Sequence, residues 1–495
     1  MEFQRAAGVL LPVSALPGKY GVGTLGKDAR RFVDFLADAG GRWWQVLPLC
    51  PSGPGESPYQ SPSAFAGDPL FIDPDWLAEH GYITPEERAA SELTDADPRR
   101  ADYLRAKQKR AALLRLALPR FTADPPADFA DFCAREADWL DDHALFMAVR
   151  AAYNGAPFST WEDGIRQHTA AAVREWSERG EREVRLHRML QYLFYTQWRE
   201  LKDYANSRGV RILGDLPIYV AMNSADVWAE SHIFALDPDG QPVEVAGCPP
   251  DGFSADGQLW GNPVYDWNAL RLGGYRWWVR RLRAALTLYD AVRIDHFRGF
   301  SAYYCIPAGA ETAREGVWRS GPGMDLWNAV KNQLGDVPII AEDLGYLTPE
   351  VYQLLKDSGF PGMKVLQFAF GGGTDNDHLP HRYTKNSVAY TGTHDNDTLR
   401  GFVDTAAPET LAMAKKYLRV PDTADLPRAM MAAAMASVSD LCILPMQDLL
   451  GLGAEARMNT PSTVGGNNWC WRLQAGELTP EAAREFREMT EIYGR

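Results

Sequence analysis

The stretch Tyr289–Phe300 reads YDAVRIDHFRGF and ends an apolar run on three ionisable residues, Arg293, Asp295 and His296. Side chains alternate faces along a strand, so Arg293 and Asp295 share one face while Val292 and Ile294 take the other. An arginine beside an aspartate keeps it ionised. That suits a carboxylate nucleophile, and equally an ion pair at a strand end. Similar strand-end positions elsewhere hold Asp215 in VRILGDLPIYV, Glu342 and Asp343 in PIIAED, and His394 and Asp395 in SVAYTGTHD. Like charges gathered in a cleft raise one another's pKa, so one carboxyl stays protonated while its neighbour stays ionised. An acid beside a carboxylate nucleophile is the equipment for breaking a glycosidic bond. Taken singly, each residue has a plainer reading. An aspartate at a strand end commonly caps a helix or forms a turn, and that reading is preferred for Asp343, which precedes Leu344-Gly345. A lone His296 or His394 is more often a satisfied polar residue. Four coincident strand ends outweigh these readings.

Positioning such groups requires a scaffold, and the apolar pattern supplies one. Eight short apolar segments run into polar or small-residue loops: 8–13, 42–49, 210–220, 290–295, 338–343, 363–370, 387–395 and 442–448. Near-continuous apolar runs are expected of parallel strands buried on both faces. Helical spacing falls between them: Phe32, Phe35, Leu36 and Ala39 before Gly40-Gly41; Leu190, Phe194, Trp198 and Leu201 before Gly209; Trp278, Leu282, Ala285, Leu286 and Tyr289 before the fourth segment. Eight strands alternating with helices predict a (β/α)8 TIM barrel of the α/β class, whose site lies at the C-terminal ends of the strands. The spacing is uneven. Residues 1–49 hold the first two strands. Residues 50–186 read as an inserted, mostly helical subdomain opening on a substrate-site loop, 50–73. Residues 187–495 carry the other six strands. Within these, 246–267, rich in Gly, Pro and aromatics, reads as a long active-site loop.

The bulk properties exclude several classes. A formal charge of −14 argues against nucleic acid or an anionic membrane surface as partner. Cys50, Cys133, Cys248, Cys305, Cys442 and Cys470 are scattered, with no C-x-x-C pair, so neither a zinc site nor a disulfide scaffold is expected and a reducing cytoplasm is. No apolar run is long enough to cross a bilayer, and the N-terminal AAGVLLPVSALPG, broken by Pro12, reads as a first strand and not a signal peptide. GVGTLG (21–26) matches a dinucleotide-binding fingerprint, but QVLPL stands where the acidic residue should follow. DNDH (375–378) and DND (395–397) lack the Gly and Glu of a calcium loop. No metal and no cofactor is expected. Tyr59, Phe253, Trp260, Trp469 and Trp471 sit in loops where flat rings could stack on sugars, whereas Trp43, Trp44 and Trp278 read as core.

Several runs in chain order resemble the 4-α-glucanotransferases of the amylomaltase (disproportionating enzyme) family, relatives of the α-amylase barrels. They are GVLLPVSALPGKYGVGTLG, QVLPLCPSGPGESPYQSPSAFAGDPLFID, GDLPIYVAMNSADVW, PPDGFSADGQLWGNPVYDW, VRIDHFRGF, IIAEDLG, GMKVLQFAF, YTGTHDND and NTPSTVGGNNWCWR. The resemblance implies Asp295 as nucleophile, Glu342 as general acid/base and Asp395 as transition-state stabiliser. It implies that Tyr59, Asp215, Arg293, His296 and His394 hold the sugar at the cleavage point, that Gln258 and Trp260 reach it from the long loop, and that Ser57 touches the substrate. The implied reaction is a retaining double displacement that moves a segment of an α-1,4-glucan or maltooligosaccharide to the 4-hydroxyl of a glucose or glucan acceptor. Asn223, Cys248 and Pro62 depart from the family pattern, which bears on loop shape and chain-length preference. The same carboxylates would also serve an α-amylase-like hydrolase, and a non-catalytic glucan-binding barrel is the reading from another class. Oligomeric state is left open.

Overall fold

The computed structural model describes residues 3–250 and 254–495; Phe253, counted above among the loop aromatics, lies outside them. Eight strands form one parallel sheet: β1 (Ala6–Leu10), β2 (Trp43–Gln45), β3 (Arg211–Pro217), β6 (Ala291–Asp295), β9 (Ile339–Ala341), β10 (Gly362–Val365), β11 (Ser387–Tyr390) and β12 (Leu441–Pro445). Their order is β10-β11-β12-β1-β2-β3-β6-β9, with β1 laddered to β12 from Ala6↔Leu441 to Leu10↔Pro445. The remaining joint, between β9 and β10, is bridged by two bonds. Ala341 N–H donates to the Pro361 carbonyl at 2.9 Å, and Met363 N–H to Asp343 Oδ1 at 2.6 Å. The barrel is therefore nearly closed, and every predicted strand lies within its predicted apolar segment except for one or two N-terminal residues of β1 and β12 and the start of β10.

Alternation along the strands separates two cores. Leu10, Trp43, Leu213, Ala291, Ile340, Val365, Tyr390 and Ile443 pack together in one cluster, while Val9, Trp44, Ile212, Val292 and Ile294 belong to the larger one shared with the helices. Gly8 makes the first cluster possible: a Cβ there would lie 2.2 Å from the Trp43 carbonyl oxygen. The helical spacings read above correspond to helices Lys27–Asp38, Glu181–Ser207 and Arg276–Leu288. The longest buries Leu190, Phe194, Trp198 and Leu201, and Trp198 Nε1 donates to the Leu288 carbonyl at 2.8 Å, fixing it to the helix that leads into β6.

Between β2 and β3 the chain is helical at Tyr103–Ala123 and Ala137–Ala152, among shorter helices, before the long helix returns to the barrel. The segment 246–267, read from sequence as one loop, contains most of a hairpin: β4 (Glu244–Cys248) and β5 (Gln258–Pro263) pair antiparallel. With β7 (Ala302–Pro307) and β8 (Val317–Ser320) they form a second sheet, ordered β5-β4-β7-β8. β4 and β5 lie in the connection from β3 to β6, and β7 and β8 in that from β6 to β9, so the sheet belongs to the C-terminal side of the barrel. Among the described residues no helix is long and apolar enough to cross a membrane.

Candidate active site

Arg293 is the hub of the rim. It lies opposite Asp215 in the β3/β6 register, 3 % exposed, and donates through Nη1 to Asp215 Oδ1 at 2.7 Å and through Nη2 to Asp295 Oδ1 at 2.8 Å. Burial opposes its charge, but the two carboxylates around it raise its pKa well above the ordinary value. One buried guanidinium thus bonds two carboxyls, and the Asp295 side chain is 31 % exposed to the cleft.

Asp215 accepts a second bond, from the Tyr59 hydroxyl at 2.6 Å. The same oxygen of Tyr59 lies 3.0 Å from His394 Nε2, and the two rings stack at 5.3 Å. Burial and then the charge of Asp215 hold the phenol protonated. With the phenol hydrogen donated in a hydrogen bond to Asp215, the phenol oxygen is left to accept from Nε2–H of His394. The Trp469 ring lies 5.9 Å from Tyr59 and 5.8 Å from His394, closing an aromatic wall.

Glu342 follows β9. Ile294 pairs with Ala341, so Asp295 and Glu342 occupy the next equivalent position on adjacent parallel strands. Adjacent strands lie about 4.8 Å apart. Glu342 is 8 % exposed and accepts from His296 N–H at 2.6 Å and from Leu344 N–H at 2.7 Å. Burial first, and then the charge of Asp295, push its carboxyl up to about 8, against the opposing pull of Arg293 and the two amides. At neutral pH this group holds a proton beside the Arg293-paired Asp295. Those are the two halves of acid and nucleophile.

His296 takes a left-handed backbone (φ 56°, ψ 46°), uncommon for a residue with a Cβ. This turn aims its amide at Glu342. Its half-buried imidazole is lowered by desolvation to about 4 and meets Trp260 edge-on at 4.9 Å. Nε2 has no hydrogen-bond partner among the described residues. A neutral ring with an unanswered polar nitrogen is built to meet a hydroxyl. Trp260 is oriented by Gln258, whose Oε1 accepts from the indole N–H at 3.0 Å, and by Gln60, which donates to the Trp260 carbonyl at 3.2 Å. Ser57 Oγ accepts from Tyr59 N–H at 3.3 Å, shaping the turn that presents the tyrosine.

Asp395 stands on the opposite side, with its side chain 44 % exposed and 3.5 Å from His394 Nε2. Asn459 Nδ2 donates to its Oδ1 at 2.6 Å, and Arg457 ties the Asp395 carbonyl at 2.6 Å to the Asn459 carbonyl at 2.8 Å. Neither Asn459 nor Arg457 was singled out from the sequence. Asn459 opens the matching run NTPSTVGGNNWCWR, which was the available signal. Asp343 does not join the rim: its carboxylate serves the β9/β10 joint, a structural role in keeping with the plainer reading. Cys248, one of the departures, pairs with Gln258 across the hairpin. No cluster of three or more metal-ligating side chains occurs among the described residues.

Comparison with known proteins agrees along the whole length. The profile of a family described as 4-alpha-glucanotransferase matches residues 11–479. The chain is 47 % identical over 506 residues to a 4-alpha-glucanotransferase of Thermus thermophilus, covering all of both chains. It is 44 % identical over 485 residues to that of Clostridium butyricum, covering 98 % of this chain and 99 % of the relative. Among solved structures, the amylomaltase of Streptococcus agalactiae in complex with acarbose superposes with a TM-score of 0.96 at 40 % identity, over 99 % of this chain and 100 % of the other.

Proposed function

The chain belongs to the 4-alpha-glucanotransferase family, and from that premise we propose how its residues divide the work. It moves a segment of an α-1,4-glucan to the 4-hydroxyl of an acceptor by a retaining double displacement. In the first step Asp295 attacks the anomeric carbon. The bond to the bridging oxygen breaks as Glu342 gives that oxygen its proton, leaving a glycosyl ester on Asp295. In the second step Glu342, now a base, takes the proton from the 4-hydroxyl of an incoming sugar, whose oxygen displaces Asp295. Retention calls for carboxyls about 5–5.5 Å apart, and the one-strand offset of Asp295 and Glu342 supports that spacing.

Asp395, oriented by Asn459, binds ring hydroxyls and stabilises positive charge at the anomeric centre. Tyr59, Asp215 and His394 seat the sugar at the cleavage point, and His296 offers its free Nε2 to a hydroxyl. Trp260 stacks on the next ring, with Gln258 and Ser57 beside it. Arg293 pairs with Asp295 and holds it in place. Maltooligosaccharides and glucose are the proposed acceptors. Cys50, Cys133, Cys305, Cys442 and Cys470 keep free thiols, which supports a reducing compartment such as the cytoplasm.

The observation that carries this reading is the buried Glu342 carboxyl one register step from the Arg293-paired Asp295. Incubation with maltotriose tests it: a ladder of longer chains plus glucose is expected. Short sugars alone would mean hydrolysis, and binding without turnover a glucan-binding barrel. Asp295→Ala should abolish turnover and spare the fold. More than trace activity in pure variant would remove Asp295 from its role.

A further inference from the structure

The second sheet places an exposed tryptophan close to the acid side of the cleft. Every residue of β8 (Val317–Ser320) is exposed, and Trp318 on it is 39 % exposed. Directly across the ladder lies Tyr304, 6 % exposed, with rings 5.1 Å apart and its hydroxyl donating to the Ala313 carbonyl at 2.9 Å. Tyr304 is anchored, and it anchors the indole. The Arg298 guanidinium lies 3.8 Å from the centre of the Trp318 ring. Arg298 is 4 % exposed, its Nη1 donates to the Tyr346 carbonyl at 2.8 Å, and its Nε has no hydrogen-bond partner among the described residues. Tyr346 itself is 74 % exposed.

Chain position gives this cluster its meaning. Arg298 follows His296 by two residues, in the turn whose first amide bonds Glu342. Tyr346 follows Glu342 by four. One buried cation therefore ties an exposed indole on a strand outside the barrel to the two segments that flank the proton donor. We infer that Trp318, backed by Arg298 and neighboured by Tyr346, is a stacking platform for the glucan chain on the acid side of the cleft, an acceptor subsite beyond the sugar that Glu342 touches. The inference rests on Glu342 acting as the acid. Whatever lies on that side is the departing segment in the first step and the acceptor in the second.

The chemistry matches one occupant. A flat ring held from behind by a cation presents its free face to the C–H face of a sugar, and the exposed Tyr346 hydroxyl can meet that sugar's hydroxyls. The link through Arg298 to the turn that bonds Glu342 makes that occupant the α-glucan proposed for the cleft.

The experiment uses the full-length chain with α-maltosyl fluoride as donor, and glucose, maltose, maltotriose and maltotetraose as acceptors. In Trp318→Ala the ratio of kcat/KM for maltotetraose to that for glucose should fall about tenfold, from stacking of about 1.4 kcal/mol. Trp318→Phe should recover most of it, and Tyr346→Ala should move it about threefold the same way. An unchanged ratio, or an equal loss for every acceptor length, would overturn the platform. Failure of the parent reading would look different, since the unaltered protein itself would then release fluoride without extending any acceptor.

Discussion

Replacing Asp295 by asparagine removes one negative charge from beside Glu342 with almost no change of side-chain size. The two positions are one strand spacing apart, about 4.8 Å. At an effective dielectric of about 20, unit charges at that distance repel by ~3 kcal/mol, equivalent to about two pH units. Glu342 stands at about 8 where an ordinary glutamate stands at 4.5, burial being the larger cause and Asp295 the next. Losing a like charge favours the ionised form, so in Asp295→Asn the Glu342 midpoint should drop to about 6. Burial alone would keep it above 4.5. The variant does not turn over, so the carboxyl is read directly, by carbon-13 NMR of labelled glutamate across the pH range, with Glu342→Gln to assign the signal. A midpoint that stays near 8, or rises, would refute the account of a charge pair dividing acid from nucleophile. In the unaltered protein the sign is clear as well. Glu342 must begin protonated, so kcat/KM should fall as pH rises through about 8.

Glu342→Gln should cut transfer from maltotriose by about 10³-fold, yet α-maltosyl fluoride should still give a stoichiometric fluoride burst, because fluoride departs without a proton; absence of the burst would mean the variant lost more than its acid. Arg293→Met leaves Asp215 and Asp295 without their cation, and denaturant unfolding should show a loss of about 3 kcal/mol. A loss under about 1 kcal/mol would show that the rim does not depend on this hub. Asn459→Ala takes the donor from Asp395 Oδ1 and should lower kcat about 10- to 100-fold with little change in melting temperature; an unaltered kcat would assign the orientation of Asp395 to other contacts.

Much of this site is legible in sequence because strand alternation is rigid. Arg293 and Asp295 share a face by the period of two, and eight apolar runs suffice to propose a barrel that carries them to one rim. The hairpin β4/β5 was not legible. Its residues are rich in Gly and Pro, Gly247 and Gly261 interrupt the pattern, and β5 alternates between half-buried and exposed, with no continuous apolar run. Its partners β7 and β8 were missed too, since β8 buries nothing. Tyr59 shows the other limit. It meets Asp215 across 156 residues and His394 across 335, a conjunction that no local pattern encodes and that only the family likeness suggested. Asn459 escaped because an asparagine acting through an aspartate carries no signature of its own. Asp343, adjacent to the acid in sequence, serves the barrel joint because neighbouring side chains on a strand diverge.

The ladder between β1 and β12 joins Ala6 to Leu441. During synthesis, the edge of the first strand therefore waits for its partner while about 430 further residues are made. At about 5–20 residues per second that delay is roughly 20–90 s. Throughout it a nascent chain carries an open, apolar strand edge of the kind that invites wrong pairing. For most of that time it also lacks His394 and Asp395, and Asn459 follows β12, so the rim is incomplete until the barrel can close. Competence and closure arrive together, once β12 and the segment carrying Asn459 are made.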